Sequence, residues 1–136
     1  MFSRGQISTE YLIVIGFVTF LVLGILGVAF FYTSITNDQI KVSQVSNLAN
    51  KIISSAESVF YAGEPSKLTL TGYLPVGVNY FDIMSNEIVV SISTSSGVTV
   101  MSFSSNVPLS GSVSSYEGVK RIGVLAQDDE VSIYEF

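Results

Sequence analysis

From Tyr11 to Asn37 the chain carries no Asp, Glu, Lys or Arg. About 20 apolar residues of α-helix span the hydrocarbon core of a bilayer, so this run crosses one with residues to spare. The whole chain has 136 residues, of which 48% are hydrophobic. The apolar residues are concentrated in this run; beyond it the sequence is polar and rich in Ser, Thr and Val. The length leaves room for one further domain and little else.

Several function classes fall away on composition. The net charge is −5, and the cations Arg4, Lys41, Lys51, Lys67, Lys120 and Arg121 are scattered. No basic patch exists to hold a phosphate backbone, so nucleic acid is not an expected partner. With no cysteine there is no disulfide framework and no thiolate chemistry. With no histidine the commonest general base and metal ligand are both missing. No converging set of carboxylate, Lys, Tyr or Ser residues stands out in their place. The expectation is a protein without catalytic residues, without a cofactor and without a metal.

The run is preceded by Arg4-Gly5-Gln6-Ile7-Ser8-Thr9-Glu10-Tyr11. A secretory signal has a shorter apolar core, closed by a small-residue cleavage site. Here the core is too long, and no such site closes it before Asp38. A plain anchor fits the length but gives no reason for Glu10 directly against the apolar segment. Gln6-Ile7-Ser8-Thr9-Glu10-Tyr11 resembles the Gln-x-Ser-x-Glu-Tyr processing signature of archaeal type IV pilins with class III signal peptides. The resemblance covers roughly the first forty residues. It implies a leader of residues 1–5, cut between Gly5 and Gln6 by a membrane-embedded prepilin peptidase of the aspartic type. Gly5, Gln6, Ser8, Glu10 and Tyr11 are then the processing residues, and Gln6 begins the mature chain.

That order has a physical logic. A cut on the polar side of the helix leaves the apolar core on the mature protein. The leader's one charge, Arg4, favours a cytoplasmic flank and sends residues 38–136 across the membrane. An acid in a first helical turn gains a few tenths to about 1 kcal/mol from the helix dipole. In a core of packed apolar helices an ionised Glu10 needs a partner. The new α-amino group of Gln6, its own or a neighbour's, is the expected one. Gln6 and Glu10 are thus the expected assembly residues. Gly16, Gly24 and Gly27 interrupt the run, and small residues let helix backbones approach closely.

After Asp38 the pattern changes. Val42, Val45, Leu48, Ala49, Ile52, Ile53, Ala56, Val59 and Phe60 recur at spacings of three and four, with polar residues between. This is the stripe of an amphipathic helix. Its stop signal is Ala62-Gly63-Glu64-Pro65. No breaker separates it from the apolar run, so a single helix of roughly 80 Å is expected from about Gln6 to Tyr61, at about 1.5 Å per residue. Two helices hinged near Thr36–Asp38 are the alternative.

The remainder reads as strands. Lys67–Thr71 alternates and is expected to turn at Gly72, and Val78–Ile83 is a candidate strand. Glu87–Thr94 and Val98–Phe103 flank Ser95-Ser96-Gly97 as a hairpin, and Val119–Ala126 and Glu130–Phe136 flank Gln127-Asp128-Asp129 as a second. The Ser-rich stretch 102–115 reads as a surface loop. Asp128-Asp129-Glu130 lacks the ligand spacing of a calcium loop and reads as a solvated turn. None of the six Asn residues sits in Asn-x-Ser/Thr.

The expected fold class is α+β. A long N-terminal helix, apolar over 6–37 and amphipathic over 38–62, packs on a small antiparallel β-domain over 63–136, in the lollipop layout of a type IV pilin. The expected function is a structural subunit of a surface filament for adhesion. It would be a membrane precursor first and a helical homo-oligomer outside the cell after processing, built by a pilus assembly platform. The alternatives are a single-span anchored β-domain that binds something, and a minor or priming pilin.

Overall fold

The computed structural model describes the backbone from Ser3 and side chains from Ser8. Helix α1 runs without interruption over Ser3–Ala62. Seven strands follow: β1 (Lys67–Leu74), β2 (Val78–Met84), β3 (Glu87–Thr94), β4 (Gly97–Ser104), β5 (Leu109–Gly111), β6 (Gly118–Ala126) and β7 (Val131–Glu135). The chain divides into two compact units, residues 1–37 and residues 38–136. The class is α+β, as the patterning indicates.

The second unit is built on the amphipathic half of α1. Val45, Leu48, Ala49, Ile52, Ile53, Ala56 and Val59 are buried, and Val42 and Phe60 lie against the same core. Those nine positions are the apolar stripe of the sequence. Fully burying one such aliphatic side chain contributes about 1.5–3 kcal/mol, so the stripe is the main support of this unit. Residues 36–38 are helical, so α1 is one helix and not two. It ends where its stop signal stands. Gly63 takes φ +77, a left-handed conformation that glycine adopts without a Cβ penalty. Its N–H bonds the Phe60 carbonyl at 3.1 Å.

The strands form two sheets, ordered β1-β6-β7-β5 and β2-β3-β4. Both expected hairpins are present. β3 and β4 pair antiparallel with Thr94 opposite Gly97, and β6 pairs antiparallel with β7 from Ala126–Val131 back to Ile122–Glu135. The inner faces contribute Leu70, Leu74, Ile88, Val90, Ile92, Ile122, Val124, Val131 and Ile133 to the core that the helix stripe completes.

Three expectations need correction. The domain is not wholly antiparallel, because β5 pairs parallel with β7. The Ser-rich stretch is not all surface loop. It ends β4 and forms β5, and it buries Ser105, Val107, Leu109 and Val113. Ser105 Oγ donates to the Val107 carbonyl at 2.8 Å, which lets a hydroxyl be buried without loss. Gly72 is not a turn. It sits inside β1, opposite Lys120. A Cβ there would lie 2.3 Å from Leu48 Cδ1, so this glycine marks a close approach of α1 to the sheet.

Candidate functional site

The residues expected to direct processing fall at the start of α1. Beyond their helical backbone, Gly5 and Gln6 lie outside the described residues, as does all side-chain structure of residues 1–5, the expected leader. Ser8, Glu10 and Tyr11 are described, and all three are exposed on the helix. Helical backbone begins at Ser3, upstream of the Gln6 start that the signature implied. Glu10 therefore stands one helical turn beyond residue 6. The expected pairing of Glu10 with the Gln6 α-amino group lies outside the described residues.

Next to them is the feature that most needs a partner. Every large hydrophobic residue from Tyr11 to Tyr32 is exposed, Phe20 by 72% and Phe30 by 74%. Water penalises such a surface by about 25 cal/mol per Å², and exposed apolar patches of this extent mark association or membrane surfaces. The helix is long and apolar enough to cross a membrane, by length and composition. Its polar residues suit that setting. Thr33 Oγ1 donates to the Ala29 carbonyl at 2.9 Å and Thr36 Oγ1 to the Tyr32 carbonyl at 3.0 Å. Hydroxyls that bond back one turn need no water. Gly16, Gly24 and Gly27 have open space where a Cβ would stand. Beside Gly24 the side chains of Phe20, Leu21, Ile25 and Val28 frame a shallow apolar dimple.

Two polar clusters lie in the second unit. The first pairs Lys120 with Glu135 on the core side of the β1-β6-β7 sheet. Lys120 Nζ lies 2.9 Å from Glu135 Oε1. Ser114 gives its N–H (2.8 Å) and Oγ–H (2.7 Å) to Glu135 Oε2, and Lys120 Nζ donates to Ser114 Oγ. Burial pushes the Glu135 carboxyl up, but the bonds from Lys120 and Ser114 and the Lys120 charge outweigh it, so the net shift is downward. Lys120 is held in an ion pair, so it is no free base, and the cluster is structural. In the sequence Lys120 is one of six scattered cations. The signal that it faces inward was alternation, since Lys120, Ile122, Val124 and Ala126 fall on one face of β6.

The second cluster ties α1 to the β3–β4 turn. Asp38 Oδ2 accepts the Ser95 N–H at 2.9 Å and the Ser95 hydroxyl. These bonds, the hydroxyl's first, hold the Asp38 carboxyl below its ordinary range, with a lesser contribution from Lys41. Asp38 thus restrains a turn rather than capping a second helix. At the far turn, the charge of Asp128 pushes the Glu64 carboxyl up. Among the described residues no group of three or more acidic side chains is placed to hold a metal ion.

Comparison with protein-family models, curated proteins and solved structures finds no match to this chain. Its function therefore rests on the chemistry of its own residues.

Proposed function

We propose that this chain is the precursor of a type IV pilin-like filament subunit, processed before Gln6 and assembled through the apolar half of α1. One observation carries the reading: Gln6-Ile7-Ser8-Thr9-Glu10-Tyr11, which resembles a pilin processing signature, opens a helix whose large apolar side chains are all exposed from Tyr11 to Tyr32. A peptidase that cuts at the polar edge preserves that helix. The helix then exchanges lipid for the same helix of other copies, driven by side-chain packing and aided by the small residues Gly16, Gly24 and Gly27. Glu10 pairs with the α-amino group of Gln6, of its own chain or a neighbour, and sets the register of the incoming copy. The β-strand unit coats the filament and meets the surface to which the cell attaches. No enzymatic step is asked of this chain; its partners are the membrane, an aspartic prepilin peptidase, an assembly platform and further copies of itself.

The test is the N-terminus of the protein in sheared, purified surface material, by intact mass and terminal sequencing. The expected chain begins at Gln6, free or cyclised, and Gly5→Val leaves it uncut in the membrane. A chain that starts at Met1 and occurs only in membranes overturns the proposal in favour of an anchored β-domain.

A further inference from the structure

An open strand edge is a template for another strand, and proteins guard such edges with charge, bulges, shortness or a covering element. The two sheets here have four edge strands: β1, β5, β2 and β4. Three of them are guarded. β1 begins with Lys67, and from α1 the Lys51 Nζ donates to the Thr71 carbonyl at 2.8 Å. β5 has three residues, and its Leu109 N–H bonds Ser85 O at 2.7 Å. β2 carries Asp82 and breaks register between Val78 and Tyr80.

β4 is long, with no charged residue and no bulge, and the bond that α1 makes to it, Ser46 Oγ to Met101 Sδ at 3.9 Å, reaches a side chain and not a backbone group. It runs eight residues as Gly-Val-Thr-Val-Met-Ser-Phe-Ser, with no charge and no proline. It pairs with β3 from Glu87–Ser104 to Thr94–Gly97 without a shift in register. Val98 is 66% exposed and Val100 is 57% exposed. Both lie on the face away from the core, since Thr99, Met101 and Phe103 stand opposite the buried Ile92, Val90 and Ile88. The charged side chain bonded to the strand is Glu87, which Ser102 Oγ holds from β3.

We propose that β4 is a self-association edge, pairing antiparallel with β4 of a second copy of this chain about a two-fold axis. The occupant follows from charge. A strand with no charged residue of its own offers little to an acidic or basic partner. A two-fold joint sets identical strands against each other, so any charge near its centre would meet its like. Of the four edges, β4 alone is long, regular and neutral enough to meet itself. In the joint Val98 and Val100 of both copies form one apolar row across the pair. This inference does not rest on the filament reading: a two-fold joint closes on two copies and is not the contact that propagates a filament.

The chain has no cysteine, so single cysteines at positions 98–103 report the joint in the full-length protein in detergent micelles under a mild oxidant. The expected result is a disulfide dimer from a single variant only near the middle of the strand. Mixtures of two variants should cross-link only when their two residue numbers add to one constant sum, the mark of antiparallel pairing. Tyr116→Cys, at an 81% exposed position outside the strand, is the background control. Val100→Lys, and separately Val98→Lys, should cut the cross-linked fraction at least tenfold while leaving the β-strand amide spectrum in place. Cross-linking no greater than at Tyr116→Cys, same-number cross-linking along the whole strand, or indifference to both lysines would each overturn the proposal.

Discussion

The two halves of α1 share one backbone and solve opposite problems. From Tyr11 to Tyr32 the helix is apolar all round, and its large side chains are bare. From Val45 to Val59 it is apolar on one stripe, and that stripe is covered by the strands of its own chain. Helical geometry is common to both, so what differs is the source of the cover. The second half is satisfied within one molecule and belongs to a folded domain. The first half has no cover among the described residues, and under the filament proposal lipid or other copies supply it. A helix without a breaker through residues 36–38 carries both kinds of surface, and this division is what the filament proposal exploits.

The largest effect should come from crossing that division with one kind of substitution. Ile52 is fully buried and Ile25 is 69% exposed. Ile52→Ala removes packing that nothing replaces and should cost the β-strand unit about 3 kcal/mol. Ile25→Ala should leave that unit's stability unchanged. Denaturant unfolding of the full chain in detergent, followed through β-strand amide exchange, reads both. Equal losses from the two would mean that the halves are not independent.

A smaller effect should come from the ion pair at the edge of the core. Glu135→Gln leaves Lys120 buried opposite a neutral group. Breaking a fully buried pair costs about 3–5 kcal/mol. The Glu135 side chain keeps a quarter of its surface in water, so about 2 kcal/mol is expected. The sign with pH follows from the lowered carboxyl. Glu135 binds its proton less readily folded than unfolded, so its contribution is fully present above the unfolded value of 4.5. It is lost as pH falls through the lower folded value. Wild-type stability should therefore drop below about pH 4.5, and Glu135→Gln should flatten that part of the curve. An unchanged acid limb would show that the pair contributes nothing.

The elements of the second unit differ in how far they can be read from sequence. A period near 3.6 located the stripe of α1 residue by residue, because a helix that buries one face leaves that trace. Both hairpins were legible because each joins neighbouring strands through a short polar turn. β5 was not, because three residues carry no period and its parallel partner β7 lies some twenty positions on. Gly72 read as a turn because a sequence shows a missing side chain but not the Leu48 methyl that fills its place. Of the candidate site, the order of signature and apolar helix was plain in the chain. The role of Asp38 was not, because its partner Ser95 is brought close only by the packing of α1 on β3 and β4.

Asp38 offers the finest test, since it stands where the second unit begins. If it restrains the β3–β4 turn, Asp38→Ala frees the Ser95 amide and hydroxyl and leaves α1 intact. Amide exchange should then speed up at Ser95 and Ser96 and stay unchanged from Ile35 to Lys41. In the wild type the Asp38 carboxyl should titrate below 3.8, its ordinary value. The turn should loosen as pH falls through that lowered value, because the protonated group accepts the two Ser95 bonds less well. Faster exchange in the helix around residue 38 would give the opposite lesson. It would make Asp38 a stop for the domain's own helix, and the continuity of bare and covered halves would depend on one carboxylate.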